Sequence, residues 1–216
     1  MKKIYLSAVF SLFLINNALS DISLGISGTM SALNADGKEV VSNTTTHTKS
    51  DKVYMGYASI FGEAHLGSNL RLGLSYVPYS MESETTESTH ISKSVAQGGT
   101  GEADRSQKVQ VDIEDLTTLY LSYHYNNFFG KVGIIQADLI TNESLDTGST
   151  YGNADLKGTM YGAGFEKDLD NGMFLRGEVS YNDFDNIKLT STANSNTIDV
   201  TGISGTSAAI SIGKTF

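Results

Sequence analysis

The last nine residues, Ala208 to Phe216, constrain the fold more than any other stretch of the chain. Ala208, Ile210, Ile212 and Phe216 share one parity, and Ala209, Ser211, Gly213 and Thr215 share the other. Successive side chains of a strand point to opposite faces, so this stretch is a strand with one apolar face and one small, polar face. Lys214 falls on the apolar parity, where a long aliphatic stem lets a charged end reach a polar boundary.

The beginning of the chain has a different character. Met1-Lys2-Lys3 is a short basic start, Ile4 to Ile15 is uncharged and largely apolar, and Ala18-Leu19-Ser20 places small residues before Asp21. That is the pattern of a cleaved secretory signal, and the run is shorter than the roughly 20 residues a spanning helix needs. The expectation is a signal peptide at residues 1–20 and one domain at residues 21–216. No other segment is apolar enough for a membrane helix, so a membrane location would require strands.

Composition narrows the choices. Without Lys2 and Lys3 the remainder carries 13 basic against 24 acidic residues, a net charge of −11. Nucleic acid is excluded as a partner, because its phosphates demand a basic surface. The absence of cysteine suits passage through an oxidising compartment without thiol chemistry. Twenty-two glycines, eleven tyrosines and a single proline suit closely packed antiparallel strands, in a barrel or in a sandwich.

The order of the connections separates the two. Alternating segments start at Asp21–Asn34, Lys52–His65 and Leu70–Pro78, and continue at Lys108–Tyr125 and Phe128–Leu139. Three more follow: one around Tyr161–Glu166, one around Leu175–Asn182, and the C-terminal strand. Long polar connections fall near 35–51, 80–107, 141–155 and 185–201. Short turns fall at Leu66–Asn69, Asn126-Asn127 and Asp168–Gly172. Four long and three short connections join eight strands, with every short turn on one side. Expected details include Tyr79 facing inward, Val109, Val111 and Ile113 in one register with Leu119 to Tyr125, and a bulge near Ile135-Gln136. The 80–107 segment reads as a solvated, charge-extended loop.

On these residues the chain resembles the OmpA/Opa-type superfamily of small eight-stranded outer-membrane β-barrels. The likeness is sharpest in the terminal strand and in Tyr161–Glu166 through the Asp170-Asn171-Gly172 turn into Leu175–Phe184, where Arg176 and Glu178 form an inward pair. It implies an all-β, eight-stranded antiparallel transmembrane barrel with up-and-down topology. It implies the outer membrane of a Gram-negative bacterium, termini periplasmic and long loops extracellular. It also implies that Ala208, Ile210, Ile212 and Phe216 are read by the barrel-assembly machinery. Outer-membrane lipid and lipopolysaccharide are the expected surroundings, extracellular receptors the conceivable partners, and a monomer the expected state.

Eight strands enclose a lumen just wide enough to be filled by side chains. Its expected lining includes Glu63, Arg71, Glu114, Lys131, Glu166, Arg176 and Glu178, which must pair because an isolated buried ion carries a large desolvation penalty. The network reads as structural, with a gate or narrow solute path as the alternative. His47 and His90 fall in loops and His65 and His124 near short turns; none has metal-site spacing. No nucleophile–base constellation assembles from the sequence, so no catalytic residue, cofactor or metal is expected. The reading is a non-enzymatic barrel with a structural or surface-interaction, adhesion-like role. The alternatives are a small pore or carrier for a hydrophobic or ionic solute and, third, a lipid-modifying enzyme.

Overall fold

Alternation of apolar and polar residues leaves the chain no stable form except strands paired on both edges. In a computed structural model, residues 21–41, 45–82, 86–92, 103–144 and 150–216 are described. The expected signal peptide at 1–20 lies outside them. Eleven strand segments appear in chain order: β1 (Ile22–Val41), β2 (Thr45–Leu66), β3 (Leu70–Tyr76), β4 (Met81–Glu82), β5 (Thr86–Ser92) and β6 (Ala103–Tyr125). They continue with β7 (Phe128–Ser144), β8 (Ala154–Asp168), β9 (Met173–Phe184), β10 (Ile187–Thr190) and β11 (Thr197–Thr215). The ring runs β1–β2–β3–β6–β7–β8–β9–β11, and β11 pairs antiparallel with β1 to close it. β4 and β5 continue the β3 stave along β6, and β10 continues β9 along β11. Eight staves result, antiparallel throughout, as the order of connections predicts.

Closure satisfies the backbone of every stave in its lower half, and the side chains then divide by parity. Ile26, Met30, Val132, Ile134, Val179 and Ile210 stand on the outer wall, with Met30 and Ile210 each 75% exposed. So large an apolar belt on a folded surface requires hydrocarbon around it. With a rise of about 3.3 Å per residue and a tilt near 40°, the belt is roughly 15 Å tall on β7, from Phe128 to Ile134, and roughly 30 Å on β2, from Tyr54 to Leu66. Tyr123, Tyr125, Phe128, Phe165 and Phe216 ring its lower edge, where amphipathic rings favour a lipid–water boundary. The short turns expected there are present, with Gly67, Asn126, Asn171 and Gly172 in the left-handed region.

Two bulges mark where the barrel changes character. β6 carries one extra residue between Glu114 and Thr117 relative to β7, with Asp115 at φ 53°. β11 carries one between Thr201 and Ser204 relative to β1, with Gly202 at φ 62°. One inserted residue turns all later side chains to the opposite face. Leu119, Leu121, Ile210 and Ile212 therefore face outward, whereas Ile113 and Val200, of matching sequence parity, pack inside. The expectation that Val111 and Ile113 continue the outward register of Leu119 is corrected, since the bulge inverts it; the side chain of Val109 lies outside the described residues. The bulge expected at Ile135-Gln136 is also misplaced, since β7 pairs through that point without a shift. It belongs to β6, directly opposite.

The long connections are shorter than the sequence suggests. Pairing of β1 with β2 continues from Ala35↔Asp51 to Val41↔Thr45, through most of the expected loop. Within 80–107, β4 and β5 pair with β6, so this segment contains an extended hairpin as well as loop. β10 occupies part of the fourth connection. One stave is interrupted. β3 ends at Tyr76, just before Pro78, and the Val77 N–H donates to Leu116 O at 2.9 Å. Tyr79 does not enter the lumen; it is exposed, and its hydroxyl accepts the Ala58 N–H at 2.5 Å. Among the described residues, β2 pairs with β3 only over Ile60–Leu66, while β4 and β5 pair with β6 alone. A seam is left in the upper wall between β2 and β4.

Ring closure can be checked directly. Ser27 and Ser211 lie opposite each other on β1 and β11, with hydroxyls 2.9 Å apart. In this cysteine-free chain, Ser27→Cys with Ser211→Cys should form one disulfide on mild oxidation. The oxidised protein should then keep its compact gel mobility after partial heating; failure to cross-link would refute the closure.

Candidate functional site

The lumen has two storeys. The lower one is built from β2, β3, β8 and β9, whose inward residues include Glu63, Arg71, Glu166 and Arg176. Arg176 Nη1 and Nη2 donate to the two oxygens of Glu63 at 2.7 and 2.8 Å, a bidentate pair. Its Nη2 and Nε also donate to Glu166 Oε2 at 2.6 and 2.9 Å. Arg71 Nη2 lies 2.9 Å from Glu166 Oε1, Arg71 Nη1 lies 3.4 Å from Glu63 Oε2, and the Tyr120 hydroxyl donates to Glu63 at 2.9 Å. Glu63 is 0% exposed. Two guanidinium groups balance two carboxylates, which is what lets four ionised groups share a water-poor interior.

Aromatic rings complete this floor. The Arg176 guanidinium carbon lies 5.1–5.3 Å from the ring centres of Phe61, Phe129 and Phe174, within cation–π range. Phe61 lies over Gly25, Phe129 over Gly164, Phe174 over Gly213 and Tyr120 over Gly73. At each glycine a ring occupies the space a Cβ would need. The floor is thus a neutral ionic knot in an aromatic collar.

Above it Lys131 Nζ lies 2.7 Å from Glu178 Oε2 and 4.2 Å from the centre of the Tyr120 ring. Of the seven residues expected to form one network, four meet in the knot and Lys131 with Glu178 form a separate pair. Glu114 joins neither. It lies above the β6 bulge, opposite Asp138, where the inverted register turns it away from the lumen.

The upper storey contains a cavity of about 100 Å³. One wall is apolar: Tyr120, Ile135 and Met160 are buried there, with Leu116 and Phe184 against them. The other wall carries Ser27, Ser31, Ser59, Ser207 and Ser211. Higher, Ala137, Leu156, Ile187 and Ile203 form an apolar core at and above the bulges. Met55, Tyr57, Val77 and Met81 line the cavity on the side of the seam.

No protein-family model and no curated protein matches the sequence. Solved structures do. The chain superposes on the outer membrane protein OprG from Pseudomonas aeruginosa with a TM-score of 0.58 at 15% identity, covering 92% of this chain and 97% of that one. Against the outer membrane protein AlkL, solved in lipid bilayers, the TM-score is 0.54 at 14% identity, with 92% and 91% covered. The chain has the fold of the small outer-membrane β-barrels. The likeness covers nearly the whole of both proteins.

The barrel also brings serine and histidine together, which the sequence did not reveal. Ser122 Oγ lies 3.1 Å from His124 Nε2, and His124 Nδ1 lies 3.9 Å from Glu166 Oε1. Ser23 Oγ lies 2.8 Å from His65 Nε2. Ser23 and Ser122 are 0% and 1% exposed, so neither has room for an acyl group beside it. Glu166 is already bound by both arginines. His47 and His90, expected in loops, belong to β2 and β5. Sequence reading also missed Tyr120, Phe129 and Phe174. Their signal was available: each inward ring faces a glycine on a neighbouring strand.

The knot makes an unequal prediction. Arg176→Leu leaves Glu63 and Glu166 buried without their main partner and should cost about 3–5 kcal/mol. It should appear as a lower temperature for conversion of the compact to the unfolded gel form. Replacing the Lys131–Glu178 pair together, by Lys131→Met with Glu178→Leu, should cost less than about 1 kcal/mol.

Proposed function

We propose that this barrel is a carrier for a small uncharged solute in the outer membrane, receiving it in the upper lumen and releasing it through the wall rather than along the axis. The observation that supports this reading most is the cavity itself. It has an apolar wall, lies above a floor closed by the Arg176 knot, and borders the seam where, among the described residues, β2 pairs with no strand on that side. A sealed floor opposes axial flow of ions, whereas a break in the stave beside Val77 and Met81 offers a lateral exit at the level of the outer leaflet. On this reading residues 1–20 are removed, both termini face the periplasm and the long hairpins face outward.

A structural or surface-interaction role is the second reading. Its support is that β1–β2 and β5–β6 continue as paired ladders well beyond the apolar belt, which gives the outer hairpins a rigid base. Loss of cell or receptor binding on replacing residues 83–105 with a tight turn would favour it.

Uptake decides between them. Cells expressing the barrel should take up a labelled neutral monocyclic solute faster than control cells. Met160→Trp, which fills the cavity, should reduce that gain at least about fivefold while preserving heat-modifiable mobility. Planar bilayers holding the purified protein should show no step conductance. Equal uptake with and without the barrel would overturn the carrier reading.

A further inference from the structure

The two walls of the cavity differ by strand, and the difference specifies a ligand. β6, β7 and β8 contribute Tyr120, Ile135 and Met160, whereas β1 contributes Ser27, Thr29 and Ser31, β2 contributes Ser59, and β11 contributes Ser207 and Ser211. The serines form an organised array. Asn182 Nδ2 donates to Ser207 Oγ at 2.9 Å, Ser207 Oγ donates to Ser31 Oγ at 2.9 Å, Ser27 and Ser211 lie 2.9 Å apart, and Ser75 Oγ donates to Ser59 Oγ at 3.1 Å. A hydroxyl has one proton to donate and two lone pairs to accept, so each pair retains capacity toward the lumen.

The charges that touch the cavity are satisfied internally. Lys131 is bound by Glu178, and Arg176 by Glu63 and Glu166. An ionic ligand would have to leave water without a free counter-charge, which is strongly unfavourable. A purely apolar ligand would cover the serine array and leave its remaining hydroxyl capacity without water, the situation in which a polar site rejects an analogue lacking the matching group.

Resting on the carrier reading above, we infer that the lumen of this barrel selects uncharged molecules with one apolar face and one hydroxyl-bearing edge, of about the size of a substituted benzene ring. The cavity of about 100 Å³ is smaller than the roughly 150 Å³ apolar cavity known to take benzene, but it is open on one side, so a single substituted ring is the largest ligand it takes. The apolar face lies against Ile135 and Met160, and the hydroxyl against Ser31 and Ser207. Selection is by polarity pattern, since the paired charges exclude ions and the serines disfavour hydrocarbons.

Methyl NMR of the full mature chain in lipid nanodiscs tests this, with benzyl alcohol, toluene and benzoate as probes. Met160 and Ile135 report the cavity, while the outward Ile134 and Ile210 report partition into lipid. Benzyl alcohol should shift the Met160 and Ile135 signals saturably. Toluene should need at least about tenfold higher free concentration for the same cavity shift, and benzoate should leave it unchanged. Ser31→Ala with Ser207→Ala should weaken benzyl alcohol about tenfold and leave toluene unaffected. Toluene or benzoate occupying the cavity as tightly as benzyl alcohol would overturn the selectivity while sparing the carrier reading. No cavity shift with any of the three would overturn both.

Discussion

Hydrocarbon offers no partner for a backbone amide, and that one constraint organises the molecule. Strands surrounded by lipid must satisfy both edges, so β1 must find β11 and the sheet must become a ring. A ring of eight staves leaves a bore that side chains fill. Whatever charges point inward must then neutralise one another, as Arg71 and Arg176 do with Glu63 and Glu166. The ionic knot is therefore a consequence of closure at this strand number. The same closure makes the break beside β3 conspicuous, because among the described residues β2 loses its neighbour there over most of its upper length.

Much of this was legible in the sequence, because lipid and lumen impose opposite chemistry on neighbouring residues. Ile210 and Ser211, or Val132 and Lys131, announce their sides by type alone. The register of the upper β6 was not legible. Val109, Val111 and Ile113 share parity with Leu119, and nothing in their types shows that Asp115 reverses the face between them. Apolar residues are wanted on the outside below that point and on the inside above it, so an unbroken apolar parity conceals the reversal. The expected bulge in β7 was the same event seen from the partner strand, where Ile135 and Ala137 look anomalous only if the lumen is assumed to be polar.

The candidate site divides similarly. Charged residues on inward parity could be named in advance, because ions inside a narrow barrel have few alternatives. Their grouping could not, since it depends on which strands face one another across the bore. Tyr120 joins Glu63 to the neighbourhood of Lys131 through tertiary geometry that periodicity does not encode. The apolar wall was missed for a related reason: Ile135 reads as a break in the alternation of its strand, and nothing in the types of Leu156 and Met160 shows that they join it. Together they turn a bore expected to be lined by charge into one with a polar side, an oily side and a closed floor.

The reversal at Asp115 and Gly202 has a further implication for how the protein sits in its environment. A barrel with uniform staves could bob along the membrane normal, since sliding by one residue pair would exchange similar groups at each surface. Here such a slide would drag the carboxylate of Asp115 into oil or lift Leu119 into water on one side, and act similarly around Thr201 and Ile210 on the other. Depth is thereby pinned by two backbone kinks, like a waterline scribed on a hull, and the seam beside β2 is held at one fixed level of the leaflet.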